Sequence, residues 1–241
     1  MTQTRQSSAT RIAALDVLRG IAVVLMVVHH FLYDLVEFCG APAYLFSNPV
    51  FDVLHYLFAG LLILLSGVAS RFSRSNLRRG IKLAGIALAL TGVTMLLSMP
   101  IVFGVLHLLA CCMIFYGLAG PVLERLRGFT APVWYAALGG ASLFLREWLN
   151  PVSIGFLFPL GLVAPGFFSA DYFPLFPWLF VFLMGTYLGG PIKAGRFPAF
   201  FYKISPGFFG AVGRHALIVY LLHQPVLFCL AKCLAYFIPF S

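Results

Sequence analysis

Charge is what this sequence has least of. Asp, Glu, Lys and Arg make up 10% of its 241 residues, against roughly 25% in soluble domains. Hydrophobic residues reach 61% before glycine is counted. A soluble globule cannot hide that much apolar surface. A soluble enzyme, a secreted domain and a disordered chain are therefore excluded. Cysteine is also sparse, with 5 residues at Cys39, Cys111, Cys112, Cys229 and Cys233. They show no Cys-x-x-Cys spacing and no metal-ligand pattern, and they read as small hydrophobes. No internal repeat is visible, which weighs against an inverted-repeat transporter.

What is present is a series of apolar runs at 17–36, 51–70, 83–98, 102–120, 131–147, 174–190 and 215–238. Each is near the length of roughly 20 residues that a spanning helix needs. The first run is too long for a cleavable signal and carries Asp16, Arg19, His29 and His30. Basic residues punctuate alternate connections. Arg5, Arg11 and Arg19 precede or open the first run, and Arg71, Arg74, Arg78, Arg79 and Lys82 follow the second. Arg125 and Arg127 follow the fourth, and Lys193, Arg196, Lys203 and Arg214 precede the last. The intervening connections 37–50 and 99–101 have no Lys or Arg. The positive-inside rule places the N-terminus in the cytoplasm and the C-terminus outside. It also keeps the short, Pro- and Gly-broken stretch 153–168 from crossing, since a crossing would carry the basic segment 191–214 outside. The expectation is one all-α, polytopic domain over 1–241 in the plasma (inner) membrane. About seven transmembrane helices are joined by a re-entrant or surface element on the outer face. The net charge of +9 follows from this topology and implies no nucleic-acid partner.

Ionisable groups inside spans cost about 2.5–3.5 kcal/mol each on insertion scales, so they are functional candidates by default. Asp16 and Arg19 share a helix face, either as a helix-end ion pair or with Arg19 meeting a ligand phosphate. His30 lies about 16 Å deeper along the same helix, near mid-membrane. Asp34 follows one turn later and is placed to orient His30 for proton abstraction. His29 points elsewhere and reads as structural. Asp52 and His55, His107, and Asp171 lie toward the outer ends of their segments. His223 sits in the last run with Tyr220 and Gln224 within a turn. No pair has the spacing of a metal motif, so no metal is expected.

Four stretches carry a resemblance. They are Arg11-Ile-Ala-Ala-Leu-Asp-Val-Leu-Arg-Gly-Ile-Ala-Val-Val-Leu-Met-Val-Val-His-His30, Gly104-Val-Leu-His107, Asp171-Tyr-Phe-Pro-Leu-Phe-Pro-Trp178, and Gly213-Arg-His through His223-Gln-Pro225. In this order and spacing they resemble the prokaryotic members of the heparan-alpha-glucosaminide N-acetyltransferase catalytic-domain family. The first helix also resembles the opening of the wider membrane acyltransferase superfamily, whose intramembrane His falls on His30. The lysosomal relative's proposed active-site His lies in its first outer loop, whereas the loop 37–49 here has none.

The resemblance implies transfer of an acetyl group from cytoplasmic acetyl-CoA to an amine or hydroxyl of an extracytoplasmic sugar or cell-envelope glycan, glucosamine being the lysosomal acceptor. Its partners are then an acyl-CoA, a glycan and the bilayer. The oligomeric state is open, a homodimer included. Catalytic candidates are His30, Asp34, His107, Asp171 and His223. Candidates for the CoA phosphates are Arg11, Asp16, Arg19 and the basic run from Arg71 to Lys82, Arg78 and Arg79 foremost in it. No Gly-x-Ser-x-Gly is present, so direct transfer is simpler than an acyl-Ser enzyme. The rival reading is a proton-coupled transporter or flippase using the same intramembrane His and Asp groups.

Overall fold

The computed structural model describes residues 11–125, 128–149 and 155–237. Arg5, Arg127 and residues 153–154 of the short apolar stretch lie outside them. The helices, in chain order, are α1 (Ala13–Cys39), α2 (Pro49–Ser70), α3 (Asn76–Leu96), α4 (Val105–Arg125), α5 (Ala131–Leu149), α6 (Leu175–Lys193), α7 (Ala199–Lys203), α8 (Gly207–Arg214) and α9 (Ala216–Phe237). Among the described residues there is no strand, so the chain is an all-α polytopic membrane protein. The boundaries follow local chemistry. Gly40 ends α1 in the left-handed region at φ 72°, its N–H bonded to the Leu35 carbonyl. Ser75 caps α3, its hydroxyl accepting from the Arg78 N–H.

Six helices are long and apolar enough to cross a membrane: α1, α2 with the turn before it, α3, α4, α6 and α9. The seventh expected segment, α5, forms over 19 residues but falls short in apolarity. Arg146 and Glu147 near its end, with Gly139, Gly140 and Ser142, dilute the run. The stretch after it forms no spanning helix. Its described part opens with a 3-10 turn, Gly155–Leu160, and continues as irregular backbone. The backbone there finds partners inside the protein, as irregular backbone at membrane depth requires. The Tyr172 hydroxyl donates to the Phe158 carbonyl at 2.6 Å, and the Phe173 N–H to the Phe103 carbonyl at 2.9 Å. Phe158 stacks on Phe167 with centroids 5.6 Å apart. Large apolar side chains face outward along the helices, among them Leu88 and Val93 on α3, Trp134 and Phe144 on α5, and Ile218 and Val226 on α9. Such a surface suits lipid contact.

Contacts divide the chain into two compact units. The first comprises the chain up to Leu62 and from Phe197 onward, and so holds α1, the first part of α2, and α7 to α9. Its core is Ala22, Val23, Met26 and Phe58, packed by Val212, Ala216, Val219 and Tyr220. A Cβ at Gly20 would lie 1.8 Å from the Phe209 carbonyl oxygen, and one at Gly213 would lie 1.8 Å from that of Asp16. Reciprocal glycines thus let α8 run antiparallel to α1 with their backbones touching, as small residues do in membrane bundles. By contrast α9 runs parallel to α1. His30 faces His223, and the Cys39 thiol donates to the Ala231 carbonyl.

The second unit, Ile63–Arg196, holds the rest of α2 with α3 to α6. Here α3 and α4 are antiparallel, Gly80 meeting Ala110 and Ile114 while Gly117 meets Leu77. The end of α2 and α6 are parallel. A Cβ at Gly185 would lie 2.0 Å from the Leu64 carbonyl oxygen, and Gly189 abuts Val68 and Arg71.

Candidate active site

In the first unit, four histidines gather around α1. His30 lies 4.9 Å from His223 between ring centroids, at an interplanar angle of 82°. His29 lies 4.8 Å from His55 and 5.7 Å from His30. The helices fix the tautomers of the central pair. His30 Nδ1 lies 2.9 Å from the Met26 carbonyl oxygen, and His223 Nδ1 lies 2.6 Å from that of Tyr220. A carbonyl only accepts, so each Nδ1 carries the proton and each Nε2 is left with its lone pair in the neutral ring. His223 Nε2 is buried and has no hydrogen-bond partner among the described residues.

Asp34 is fully buried one turn after His30. The bond expected between them is absent among the described residues. Met26 takes the His30 proton instead, and Gln224 Nε2 donates to both Asp34 oxygens at 3.0 and 3.3 Å. Its donation to a carboxylate fixes the Gln224 amide, so Gln224 Oε1 points away from Asp34. That oxygen is buried without a donor among the described residues. The cluster therefore presents acceptor atoms with no protein donors.

Near the start of α1, Asp16 gathers two guanidiniums. Arg11 bonds it through Nε at 2.5 Å and Nη2 at 3.1 Å, and Arg19 through Nη1 at 3.1 Å. The bond to Asp16 raises the Arg11 guanidinium above its ordinary value. Asp16 is buried while the Arg11 side chain is 61% exposed. The three side chains carry a net positive charge. Asp52 is exposed in the first turn of α2, where a carboxylate complements the helix dipole.

The second unit holds the other predicted residues. His107 Nδ1 accepts from the Gly104 N–H at 3.3 Å. The Thr91 hydroxyl donates to the Ile101 carbonyl at 2.6 Å, so it must accept from His107 Nε2 at 3.1 Å. Both ring nitrogens of His107 are thus used by the protein. Asp171 Oδ2 accepts from the Val105 N–H at 3.1 Å, at the start of α4. A Cβ at Gly104 would lie 2.3 Å from that oxygen. Two of the four motifs, Gly104 to His107 and Asp171 to Trp178, therefore meet at one helix N-terminus. Arg78 and Arg79 are exposed in the first turns of α3. Of the predicted residues, His30, Asp34 and His223 come together, and Arg11, Asp16 and Arg19 form a second group in the same unit.

Sequence reading missed Gln224 as the partner of Asp34, although it stands beside His223 in the last motif. It named Arg71 only within a basic run and missed Tyr116 and Glu124, its partners in the second unit. Arg71 Nη1 donates to the Tyr116 hydroxyl at 2.9 Å and to Glu124, and Tyr116 donates to the same Glu124 oxygen at 2.8 Å. Burial opposes the Arg71 charge, and the Tyr116 and Glu124 bonds more than offset it, raising the guanidinium above its ordinary value. Glu124, an acid standing against the basic residues Arg125 and Arg127, was the available signal.

A comparison with curated proteins finds no match, and neither does one with solved structures. The profile of the family described as heparan-alpha-glucosaminide N-acetyltransferase, catalytic, matches residues 11–225. That range takes in all four motifs, the histidine pair and both arginine groups, and so the chain belongs to the heparan-alpha-glucosaminide N-acetyltransferase catalytic family of membrane acetyltransferases.

Proposed function

We propose that this chain moves an acetyl group from acetyl-CoA on the cytoplasmic side to an amine or hydroxyl of an extracytoplasmic sugar or glycan, with His30 as general base. The observation that carries the reading is the bonding of His30. Its Nδ1–H is held by the Met26 carbonyl, so Nε2 is left to take a proton, and His30 stands 11 residues, roughly 16 Å, along α1 from Arg19. The acceptor nitrogen or oxygen attacks the thioester carbonyl. A new bond to the acetyl carbon forms, the carbon–sulfur bond breaks, His30 Nε2 takes the acceptor's proton, and CoA leaves as a thiolate that recovers the proton. A thioester is already activated, so positioning and proton removal supply most of what is needed. His223 Nε2 and Gln224 Oε1 are acceptor atoms, and so match the N–H and O–H groups of a sugar better than an anion. The Arg11–Asp16–Arg19 group provides fixed cations for CoA phosphates, with Arg19 held by Asp16.

The test is acceptor-dependent thiol release by the purified full chain, with acetyl-CoA and a panel of amino sugars and neutral sugars. Thiol release coupled to a mass gain of one acetyl group on an acceptor is expected. Acetyl-CoA binding without transfer to any amine or hydroxyl would contradict the proposal and favour a transport role.

A further inference from the structure

Two members of the histidine gathering have no part in the chemistry of His30 described so far. His29 Nδ1 is buried with no hydrogen-bond partner among the described residues. Its ring centroid stands 5.7 Å from that of His30 and 4.8 Å from that of His55. Phe46, from the turn before α2, and Phe58 cover it at 4.9 and 5.7 Å, which keeps bulk water away. Buried polar atoms without partners are rare, and each asks for a water, an ion or a function. His55 lies near the start of α2, one turn on from the exposed Asp52 and beside the exposed Tyr56. The connection 37–50 that leads into α2 has no Lys or Arg, the mark of the outer face. The succession His30, His29, His55 therefore leads from the proposed base toward that face.

Proton arithmetic gives the succession a task. An amine acceptor arrives at neutral pH largely as an ammonium, and its nitrogen loses two protons on becoming an amide. One ends on the CoA sulfur, and the other is surplus and must leave the bundle. Because the Met26 carbonyl holds Nδ1–H, His30 takes protons through Nε2 alone. It must be emptied of the first before it can take the second as the nitrogen attacks. Imidazole suits such a transfer, since it gains and loses a proton near neutral pH. A step between rings runs through a hydrogen bond or one water.

We infer that His29 and His55 relay the surplus proton of an amine acceptor from His30 to the outer face. The inference rests on the acetyl-transfer reading with His30 as base, and both residues act through His30. The other titratable groups around them are His223, 4.9 Å from His30 on α9, and Tyr33, whose ring meets Phe46. On α2 they are Tyr56 and Asp52, and Asp52 puts a proton acceptor at the exposed end.

The experiment measures acetyl transfer to an amino sugar by the purified full chain, His29→Gln and His55→Gln. Rates are taken about one pH unit below and about one unit above the pKa of the acceptor's amine. At the higher pH most of the acceptor arrives neutral and brings no surplus proton, whereas at the lower pH about a tenth does. The rate of each variant relative to the natural chain should therefore fall roughly 10-fold from the higher pH to the lower. A purely structural role would lower the rate by one factor at both. The same ratio at both pH values in either variant overturns the inference and leaves the acetyl-transfer reading standing. If His29→Gln does not fold, His55→Gln alone decides. Transfer by the natural chain to neutral sugars but not to amino sugars also overturns the inference alone, and transfer to no acceptor overturns that reading with it.

Discussion

Gln224 has two tasks at the residue scale. Its amide nitrogen satisfies a fully buried carboxylate, and its oxygen is thereby presented beside His223. Gln224→Leu should destabilise the protein by about 1–3 kcal/mol, because Asp34 is left buried and unpaired. Adding Asp34→Leu should recover part of that loss, since two apolar groups leave nothing unsatisfied. Unfolding in denaturant checks this, and a double variant less stable than Gln224→Leu alone would contradict it. These residues also mark what spacing reveals. An acid or imidazole inside an apolar run is conspicuous, so His30, Asp34 and His223 were legible. Their bonds were not. The i, i+4 spacing paired Asp34 with His30, whereas the partner that arrives is 190 residues away. The group that orients His30 is a backbone carbonyl, on which the sequence is silent.

Two helix contacts decide packing at the element scale. Gly20 and Gly213 bring α1 and α8 to backbone contact, carrying Asp16 and the Gly213-Arg-His motif with them. Gly213→Ala places a methyl where the Asp16 carbonyl lies, and should cost about 1–3 kcal/mol through overpacking. Thermal unfolding in detergent checks it, and an unchanged transition would mean that the helices stand further apart. The second contact is Asp171 at the start of α4. Asp171→Ala should cost about 0.5–2 kcal/mol, as loss of a helix cap does, and Asp171→Asn should cost less. Equal losses in both variants would argue for a role of the charge beyond capping. The two motifs involved were legible in order and spacing. That they touch was not, since only the chain's return through the 155–173 segment brings them together.

Parity is the question for the whole molecule. Six helices meet the length and apolarity of a span. If those six alone crossed, α1 and α9 would be antiparallel, and so would α2 and α6. Both pairs are parallel, within separate units. Counting α5 as a crossing makes both parallel, in line with the seven spans read from the basic loops. Reporter fusions at Thr130 and Lys203 should therefore report cytoplasm, and fusions at Pro42, Pro100 and Gly155 the outside. The same compartment at Thr130 and Gly155 would remove α5 from the count. The seven-span reading rests on loop charge and on these parallel pairs, since the apolarity of α5 alone would leave it out.

The central claim, that His30 removes the acceptor's proton, is tested most directly by turnover of purified His30→Gln protein beside the natural chain. Acetyl-CoA affinity is measured on the same samples. The account predicts a loss in rate of roughly 10²–10⁴-fold with donor affinity nearly unchanged. Comparable turnover in the two proteins would contradict it.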